Sequence, residues 1–487
     1  MLSGISSSTR GFSPVPVRVW LVLCAMFMLQ FFIAVDVTVV NIALPSIGAD
    51  FGVEGHSLTW VVVGYTITGG GLLMLGGRLG DLLGRRRTLL VGTTLFGAAS
   101  LLAGLAPSFP VLVAARLLQG AGEAIALPAA MATIVLLFPE GPHRSRALSV
   151  WAAVASCGLV LGFALSGIIT AHLGWRWIFL ISVPFILVVI VAALVLVPAD
   201  RSRSRERVRL DLPGSLLLTA CPLLFVYAAV EAGEPGTNPW VSVAALVGSV
   251  LAAVGFVWVE SKSQNPLVPL AFFADRARLR ANLTTMLLSG ALSTSFLLFT
   301  FYLQERLEIG PLGAGLTMLP LAVALIAASV LVPRLLGRWG ARACVLVGLT
   351  AAAGAMAVVA LVAVLGGGAA WLLPAMLLIA AGMGFGLVGL QYIAVSGTTD
   401  EDAGIASGVQ RAADQLGGAS GVAVYVGLGF APALHAGDPF VIAAVLAVAG
   451  LVIGALVISR SPANTAVQPQ AELATMTGAT RTTDPGQ

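Results

Sequence analysis

Charged residues are scarce in this chain. They make up 10% of its 487 residues, whereas soluble domains carry roughly a quarter. Hydrophobic residues account for 58%, and they fall in runs of about 20 residues, the length that a membrane-spanning helix needs. This composition excludes an ordinary soluble domain and predicts an all-α polytopic membrane protein.

Cysteine and histidine are also rare, with four residues of each. The cysteines lie within apolar runs without CxxC spacing, which argues against a disulfide framework and a metal site. The histidines lie in or beside predicted loops, which argues against haem ligation inside the bundle. We therefore expect no resident cofactor and no metal. The residues are Cys24, Cys157, Cys221 and Cys344, and His56, His143, His172 and His435.

Long apolar runs, in contrast, are abundant and predict fourteen spans. Their approximate limits are 18–42, 58–77, 88–106, 111–137, 147–170, 175–197, 213–231, 240–259, 281–304, 315–336, 343–365, 371–396, 404–430 and 439–459.

The positive charges sort by side of the membrane. Alternate loops and the two termini hold 22 of the 26 Lys and Arg residues. The other side has only Arg176 and Arg306, and Arg116 and Arg411 lie inside spans. The positive-inside rule then predicts that both termini are cytoplasmic, which requires an even number of spans. Because this sorting explains the basic composition, we expect no nucleic-acid partner.

A faint internal repeat connects two basic loops. Gly77–Arg87 reads GRLGDLLGRRR and Arg334–Arg342 reads RLLGRWGAR. If Gly84 aligns with Gly340, Arg86 matches Arg342. Repeated halves are typical of secondary transporters, although two short basic loops could also agree by coincidence.

The repeat predicts two six-helix halves that flank an inserted hairpin. The segments are a cytoplasmic N-terminus (1–17), the N-terminal half (18–197), a basic cytoplasmic loop (198–212), the hairpin (213–259), a cytoplasmic loop (260–280), the C-terminal half (281–459) and a disordered cytoplasmic tail (460–487).

Three polar residues interrupt the fourth span. Arg116, Gln119 and Glu123 are spaced i, i+3 and i+7, so they share one helix face. An ionisable group at membrane depth costs about 2.5–3.5 kcal/mol on insertion scales and usually faces the bundle interior or a watery cavity. The face predicts a polar pathway; an Arg–Glu pair that joins helices is the structural alternative.

Span 13 repeats this pattern with Ser407, Gln410, Arg411 and Asp414, which are spaced i, i+3, i+4 and i+7. An ion pair between Arg411 and Asp414 would hold the carboxylate ionised. If Arg411 instead reaches toward the cytoplasm, Asp414 is free to bind a proton or a cation. Both alternatives stay open from the sequence.

Span 1 carries Asp36, with Asn41 in the following turn. A carboxylate there can exchange protons as water access alternates, or it can form a structural hydrogen bond. Further candidates for a substrate pathway are the polar or aromatic residues Tyr65, Gln391 and Tyr392.

Four motifs carry a resemblance to a known family. The loop Gly77–Arg87 resembles the signature loop of the major facilitator superfamily. Three more resemble motifs of its fourteen-span drug:proton antiporter subfamily: DVTVVNIALP (Asp36–Pro45), RLLQGAG (Arg116–Gly122) and WRWIFLISVP (Trp175–Pro184). The resemblance implies a monomeric, multi-pass protein of the cell membrane that exports a small amphipathic compound in exchange for protons.

Three carboxylates are candidates for proton coupling: Asp36, Glu123 and Asp414. The resemblance supports Asp36, whereas Glu123 and Asp414 are selected because each is a carboxylate near mid-membrane; many members of the family carry a small residue at the position of Glu123. In the signature loop, the glycines would let span 2 lie close to a neighbour, and Asp81 would pair with an arginine as a latch. The gating candidates are Gly77, Gly80, Asp81, Gly84, Arg85 and Arg86; the loop arginines could also serve topology alone.

Span 5 departs from the subfamily motif Gly-Pro-x-x-Gly-Gly. Residues 162–167 read GFALSG, so the proline and the kink it implies are missing. Small residues still recur on one face and predict tight helix packing. They are Gly158, Gly162, Ser166 and Gly167.

Other functions fit the sequence less well. The same fold could serve a dedicated metabolite, lipid or siderophore exporter, or an importer. A membrane-embedded enzyme would need clustered His, Cys or carboxylate ligands in its spans, and the sequence lacks them.

Overall fold

The computed structural model describes residues 17–53, 55–138, 142–198, 211–233, 238–264, 266–396, 398, 400–429 and 438–460. The N-terminus before residue 17, most of the basic loop 198–212 and nearly all of the tail 460–487 lie outside these residues. The described part is helical and contains no strand.

The described helices follow the order of the apolar runs. They are α1 (Val17–Phe51), α2 (Thr59–Leu83), α3 (Arg85–Gly104), α4 (Phe109–Leu137), α5 (Pro142–His172), α6 (Trp177–Leu180), α7 (Ser182–Leu196), α8 (Leu212–Gly233), α9 (Pro239–Lys262), α10 (Arg276–Phe301), α11 (Pro311–Thr317), α12 (Leu319–Trp339), α13 (Ala341–Leu365), α14 (Leu373–Ala381), α15 (Val388–Val395), α16 (Asp400–Gly429) and α17 (Pro439–Ser459). A π-helical turn, Tyr302–Arg306, extends α10, and another, Gly382–Leu387, joins α14 to α15.

Within the described residues, 12 helical stretches are long and apolar enough to cross a membrane. They coincide with twelve of the predicted spans. A shorter apolar helix, Pro311–Leu325, overlaps the first part of the run 315–336. The run 404–430 falls in α16, whose 30 residues include the polar face of Gln410, Arg411 and Asp414. A multi-pass helical membrane protein is confirmed, and the count of fourteen stays a prediction.

The helix packing repeats between the two halves. In the first half α1 packs on α5 and α7, and α3 packs on α4 and α7. In the second half α10 packs on α16 and α17, and α13 packs on α14 and α17. Thus α10, α13, α16 and α17 take the places of α1, α3, α5 and α7. The hairpin of α8 and α9 lies beside the seam, because α8 contacts α2 of one half and α16 of the other.

The repeat extends to backbone conformation at one turn of each half. Gly84, between α2 and α3, has φ 88° and ψ 148°, and Gly340, between α12 and α13, has φ 80° and ψ 159°. Residues that carry a side chain rarely adopt a positive φ, which explains a glycine at both turns. The alignment of Gly84 with Gly340 therefore has a direct structural counterpart.

An arginine caps the C-terminal end of the last helix of each half in the same way. Arg86, at the start of α3, donates to the Leu194 carbonyl near the end of α7. Arg342, at the start of α13, donates to the Ser459 carbonyl at the end of α17, 2.5 Å away. The last carbonyls of a helix lack intrahelical partners, and a cation there also complements the helix dipole.

The interpretation of Gly77 and Gly80 as close-packing glycines is wrong for this conformation. A Cβ at either position would meet no atom within 4 Å. Gly76 makes the close approach instead, since its Cβ would lie 1.9 Å from the Ala124 carbonyl oxygen of α4. Helical geometry turns adjacent residues about 100° apart, so only one of the two neighbouring glycines can face α4.

Small residues of α5 pack against two helices. A Cβ at Gly158 would lie 2.6 Å from Ala34 Cβ, and one at Gly162 would lie 1.9 Å from Thr38 Oγ1 of α1. Ser166 continues this face and donates to the Val39 carbonyl. Gly167 instead faces α11 of the other half, 2.6 Å from the Pro311 carbonyl oxygen.

Candidate functional site

A buried polar network joins α1 to α4. The Arg116 Nη1 atom donates to Asp36 Oδ2 at 2.5 Å and to Gln119 Oε1 at 2.8 Å. Gln119 Nε2 donates to the other carboxylate oxygen, Asp36 Oδ1, and to Ser100 Oγ of α3, each at 2.9 Å. Both oxygens of the Asp36 carboxylate are therefore held by side chains of α4.

Arg116 is fully enclosed, with 1% of its surface exposed. Its Nε donates to the Val61 carbonyl of α2 at 2.7 Å, and its guanidinium lies 4.3 Å from the centre of the Tyr65 ring. A charge so deep needs a counter-charge, because removing one member of a buried pair leaves the other unneutralised.

Glu123 turns away from this network and meets the second half. Its Oε1 accepts a hydrogen bond from Gln415 Nε2 of α16 at 3.2 Å and lies 4.0 Å from Arg411 Nη2. The Glu123 side chain is 1% exposed, while that of Arg411 is 52% exposed. The α4 face is thus divided: Arg116 and Gln119 bind Asp36 within one half, and Glu123 bridges the two halves.

A cavity of about 180 Å³ lies between the halves. Its wall is mostly apolar, and Asp414 is the one charged residue among those that line it. Ser289 of α10 donates to Asp414 Oδ1. The wall includes Thr38, Asn41, Thr66, Phe163, Ser289, Phe296, Asp414 and Gln415.

Comparison with known proteins agrees with this architecture. The sequence pattern of the Major Facilitator Superfamily matches residues 26–422. The chain belongs to the Major Facilitator Superfamily. It is therefore a membrane transporter of small molecules and not an enzyme.

Two relatives share sequence with nearly the whole chain, and one solved structure shares its fold. The chain is 50% identical to a lincomycin resistance protein of Streptomyces lincolnensis, across 91% of this chain and 92% of that protein. It is 38% identical to the cephamycin export protein CmcT of Amycolatopsis lactamdurans, across 91% and 94%. The nucleoside transporter NupG has the same fold, with a TM-score of 0.64 at 11% identity, across 91% and 99%.

The structure places the remaining pathway candidates of this transporter in three environments. Asn41 lines the cavity, and its Nδ2 donates to backbone carbonyls of α1. Gln410 is buried and donates to Thr285 Oγ1 of α10 at 3.3 Å. Gln391 is exposed on α15 and is not among the residues that line the cavity, so a pathway role for it has no structural support. Tyr392 is partly buried on the same helix and is likewise absent from the cavity wall.

The charges of the α4 face meet partners on other helices. Arg116 pairs with Asp36 of α1, and Glu123 lies 4.0 Å from Arg411 of α16, so the Arg–Glu pair between helices that the sequence offered involves Arg411. Arg411 lies near Glu123 rather than in an ion pair with Asp414. Arg411 reaches across the seam, while Asp414 accepts from Ser289 through Oδ1 and lines the cavity.

The signature loop lies at the end of the bundle where α2 ends and α3 begins. Arg86 binds the end of α7, as described above, and Arg85 is partly buried at the first position of α3. The side chain of Asp81 lies outside the described residues. A latch between Asp81 and Arg85 or Arg86 therefore stays a prediction.

Sequence reasoning missed two side chains that complete the site. Gln415 bonds Glu123, and Ser289 bonds Asp414. Gln415 follows Asp414 directly but lies off the polar stripe of α16, which is why the helical spacing did not select it. Ser289 is one of several small polar residues of α10, and nothing in the sequence separates it from Ser293 or Thr294. Among the described residues, no three His, Cys, Asp or Glu side chains come together as metal ligands.

Proposed function

We propose that this transporter exports amphipathic antibiotics across the cytoplasmic membrane in exchange for protons. The observation that carries the proposal is the mostly apolar cavity between the halves, bordered by Asp414 and flanked by the buried carboxylates of Asp36 and Glu123. An apolar pocket with a few polar groups suits an amphipathic compound. Buried carboxylates in a membrane protein are typical of proton pathways.

The relatives support the direction of transport and the class of compound. One is named for resistance to lincomycin and the other for export of cephamycin. Resistance and export are both served by moving a compound out of the cell. We therefore assign this transporter an antibiotic as its substrate and the cell exterior as the destination.

The two halves support alternating access. They repeat the same packing, as in transporters that rock one repeat against the other around a central site. In our proposal the protein works as a monomer with both termini in the cytoplasm. Protons entering from outside release the substrate and reset the carboxylates. Each charge that crosses 100 mV supplies about 2.3 kcal/mol.

The experiment is expression in a bacterial host that lacks its own drug pumps. Growth is measured with lincomycin, a cephamycin and cationic dyes, and accumulation of labelled lincomycin is followed with and without a protonophore. We expect a raised inhibitory concentration for at least one antibiotic and low accumulation that the protonophore abolishes. Low accumulation that survives the protonophore would refute proton coupling. Unchanged growth across the panel, with the protein present in the membrane, would refute antibiotic export.

A further inference from the structure

The contact between Glu123 and Gln415 has an unusual hydrogen-bond pattern. Glu123 Oε1 receives the amide N–H of Gln415 at 3.2 Å. The second oxygen of each group, Glu123 Oε2 and Gln415 Oε1, is buried without a hydrogen bond of standard geometry, and so is the hydroxyl of Tyr65, which lies beside the Glu123 carboxylate. Most buried polar atoms in proteins do have partners, so two orphans in one contact require an explanation.

The two orphan oxygens lie on the same side of the contact. A Cβ placed on Gly69 of α2 would lie 2.9 Å from Gln415 Oε1 and 3.3 Å from Glu123 Oε2. A primary amide has one donor edge and one acceptor edge, while a carboxylate offers two acceptors. An ionised Glu123 can accept only from the N–H edge of the Gln415 amide, so it offers no donor to Gln415 Oε1.

A proton on Glu123 supplies the missing donor. The protonated Oε2 becomes a donor to Gln415 Oε1, while Gln415 Nε2 continues to donate to Oε1. The carboxylic acid and the amide then form a cyclic pair with two hydrogen bonds, and both orphan atoms are satisfied. We propose that Glu123 and Gln415 form a proton-binding site between the halves, in which Gln415 is the positioning residue that distinguishes protonated from ionised Glu123.

The surroundings let this pair respond to protons independently of the Asp36 network. The charged or titratable groups that act on Glu123 are Arg411 on α16, Tyr65 on α2 and Asp36 on α1; Asp414 of α16 and Arg116 of α4 lie elsewhere on the same two helices. Arg116 is already neutralised by Asp36 at 2.5 Å, and Arg411 is 52% exposed and only 4.0 Å from one oxygen. Among the described residues, no close and buried cation therefore holds Glu123 in its ionised form.

The position of the pair gives proton binding a mechanical consequence. Glu123 belongs to α4 of the first half and Gln415 to α16 of the second. Binding a proton adds a hydrogen bond that exists only while α4 and α16 remain together, and a ligand shifts a conformational equilibrium by its preference for one state. In this account protonated Glu123 holds the halves in contact, and loss of the proton loosens them.

The first test is infrared difference spectroscopy of the full-length protein between about pH 5.5 and about pH 8.5, a range that straddles neutrality. Glu123→Gln should remove one carboxylic-acid carbonyl band that appears at acid pH. Gln415→Leu should keep that band but move it to higher frequency, because the acid has lost its amide partner. Gln304→Leu is the matched control: Gln304 also crosses the halves, but it donates to the Ile42 carbonyl at 2.8 Å. It should leave the band unchanged.

The second test measures the halves directly. Spin labels at Leu82→Cys and Gly404→Cys, after removal of the four native cysteines, report the separation of α2 and α16. We expect the ratio of close to separated molecules to change about tenfold over the same pH range, the factor that about 1.4 kcal/mol produces. In the Glu123→Gln and Gln415→Leu variants the change should fall below about twofold, and Gln304→Leu should keep it.

An unchanged acid band in Glu123→Gln, or an unshifted one in Gln415→Leu, would overturn the proposal. So would a wild-type pH response in the labelled Gln415→Leu protein. The inference rests on the proposed proton-coupled export, yet these measurements need neither substrate nor gradient. If export proves independent of protons, the bands still test the pair. If export is proton-driven and the bands fail, only the pair is wrong.

Discussion

Arg116 and Asp36 form a buried ion pair across 2.5 Å, and Gln119, also of α4, binds the other oxygen of the Asp36 carboxylate. The pair joins two helices of the same half, so it can be maintained while the halves move apart. The effect of this ion pair on stability can therefore be measured separately from its effect on transport.

Single and double substitutions should separate these contributions. Asp36→Asn or Arg116→Gln alone leaves a buried charge or a buried acceptor without its partner, and we expect each to lower the free energy of unfolding by about 3–5 kcal/mol. The double variant should recover much of this loss, because no charge is left buried. Thermal aggregation of the solubilised protein measures stability, and labelled-antibiotic accumulation measures export. A stable double variant that exports normally would show that the pair is only structural.

Gly76 and Gly77 provide adjacent positions with opposite surroundings. Gly76→Ala drives a methyl group into the Ala124 carbonyl oxygen, and we expect it to cost at least about 1–3 kcal/mol of stability. Gly77→Ala points into open space and should be neutral for stability. Thermal unfolding compares the two variants directly. Equal stability of both would contradict the helix contact described here.

Transport by the Gly77→Ala variant asks a different question. The sequence assigned Gly77 to gating, and this structure shows only one conformation of the seam. If the variant is stable but export falls sharply, Gly77 approaches a neighbour in another state of the cycle. Normal export would remove Gly77 from the gating residues.

Asp414 should set the charge preference of the cavity. Asp414→Asn keeps the contact with Ser289 possible while removing the one charge of the cavity wall. We expect resistance to cationic compounds to fall about tenfold, equal to about 1.4 kcal/mol of lost binding, with neutral compounds affected less. Inhibitory concentrations for matched cationic and neutral antibiotics measure this. An equal loss for every compound would place Asp414 in coupling instead of recognition.

The arginine contacts at the ends of α7 and α17 should stabilise each half. Arg342→Ala leaves the Ser459 carbonyl without its donor, and we expect a loss of about 1–2 kcal/mol. Arg338→Ala is the control, because Arg338 is exposed in the last turn of α12. Thermal unfolding of both variants measures the loss of stability. A loss in Arg338→Ala that matches the loss in Arg342→Ala would mean that net charge, and not the contact, is responsible.

Much of the architecture could be predicted because it depends on local patterns. Apolar runs mark the spans, and loop arginines mark their ends. The match of Gly84 with Gly340 was visible in two short loops, and the backbone needs glycine at both turns for the same reason. The packing role of Gly76 was not visible, because neighbouring glycines look alike until the facing helix is in place.

The site could be predicted only as a set of polar residues in spans. Which of them meet depends on helices far apart in the sequence: Arg116 and Asp36 are 80 residues apart, and Glu123 and Gln415 are 292 residues apart. Helical spacing shows which residues share a face but not which helix that face meets. For this reason Gln391 was selected although it is exposed, and Gln415 was passed over although it crosses the seam.

We propose that a proton gradient alone drives antibiotic export. The direct measurement uses purified protein in liposomes without ATP, with labelled lincomycin at equal concentration on both sides and an imposed pH gradient. We predict that lincomycin accumulates on the acidic side, that the internal pH changes in step, and that a protonophore abolishes both. Accumulation that does not depend on the pH gradient, or proton movement that continues unchanged without lincomycin, would show that export is not proton-driven antiport.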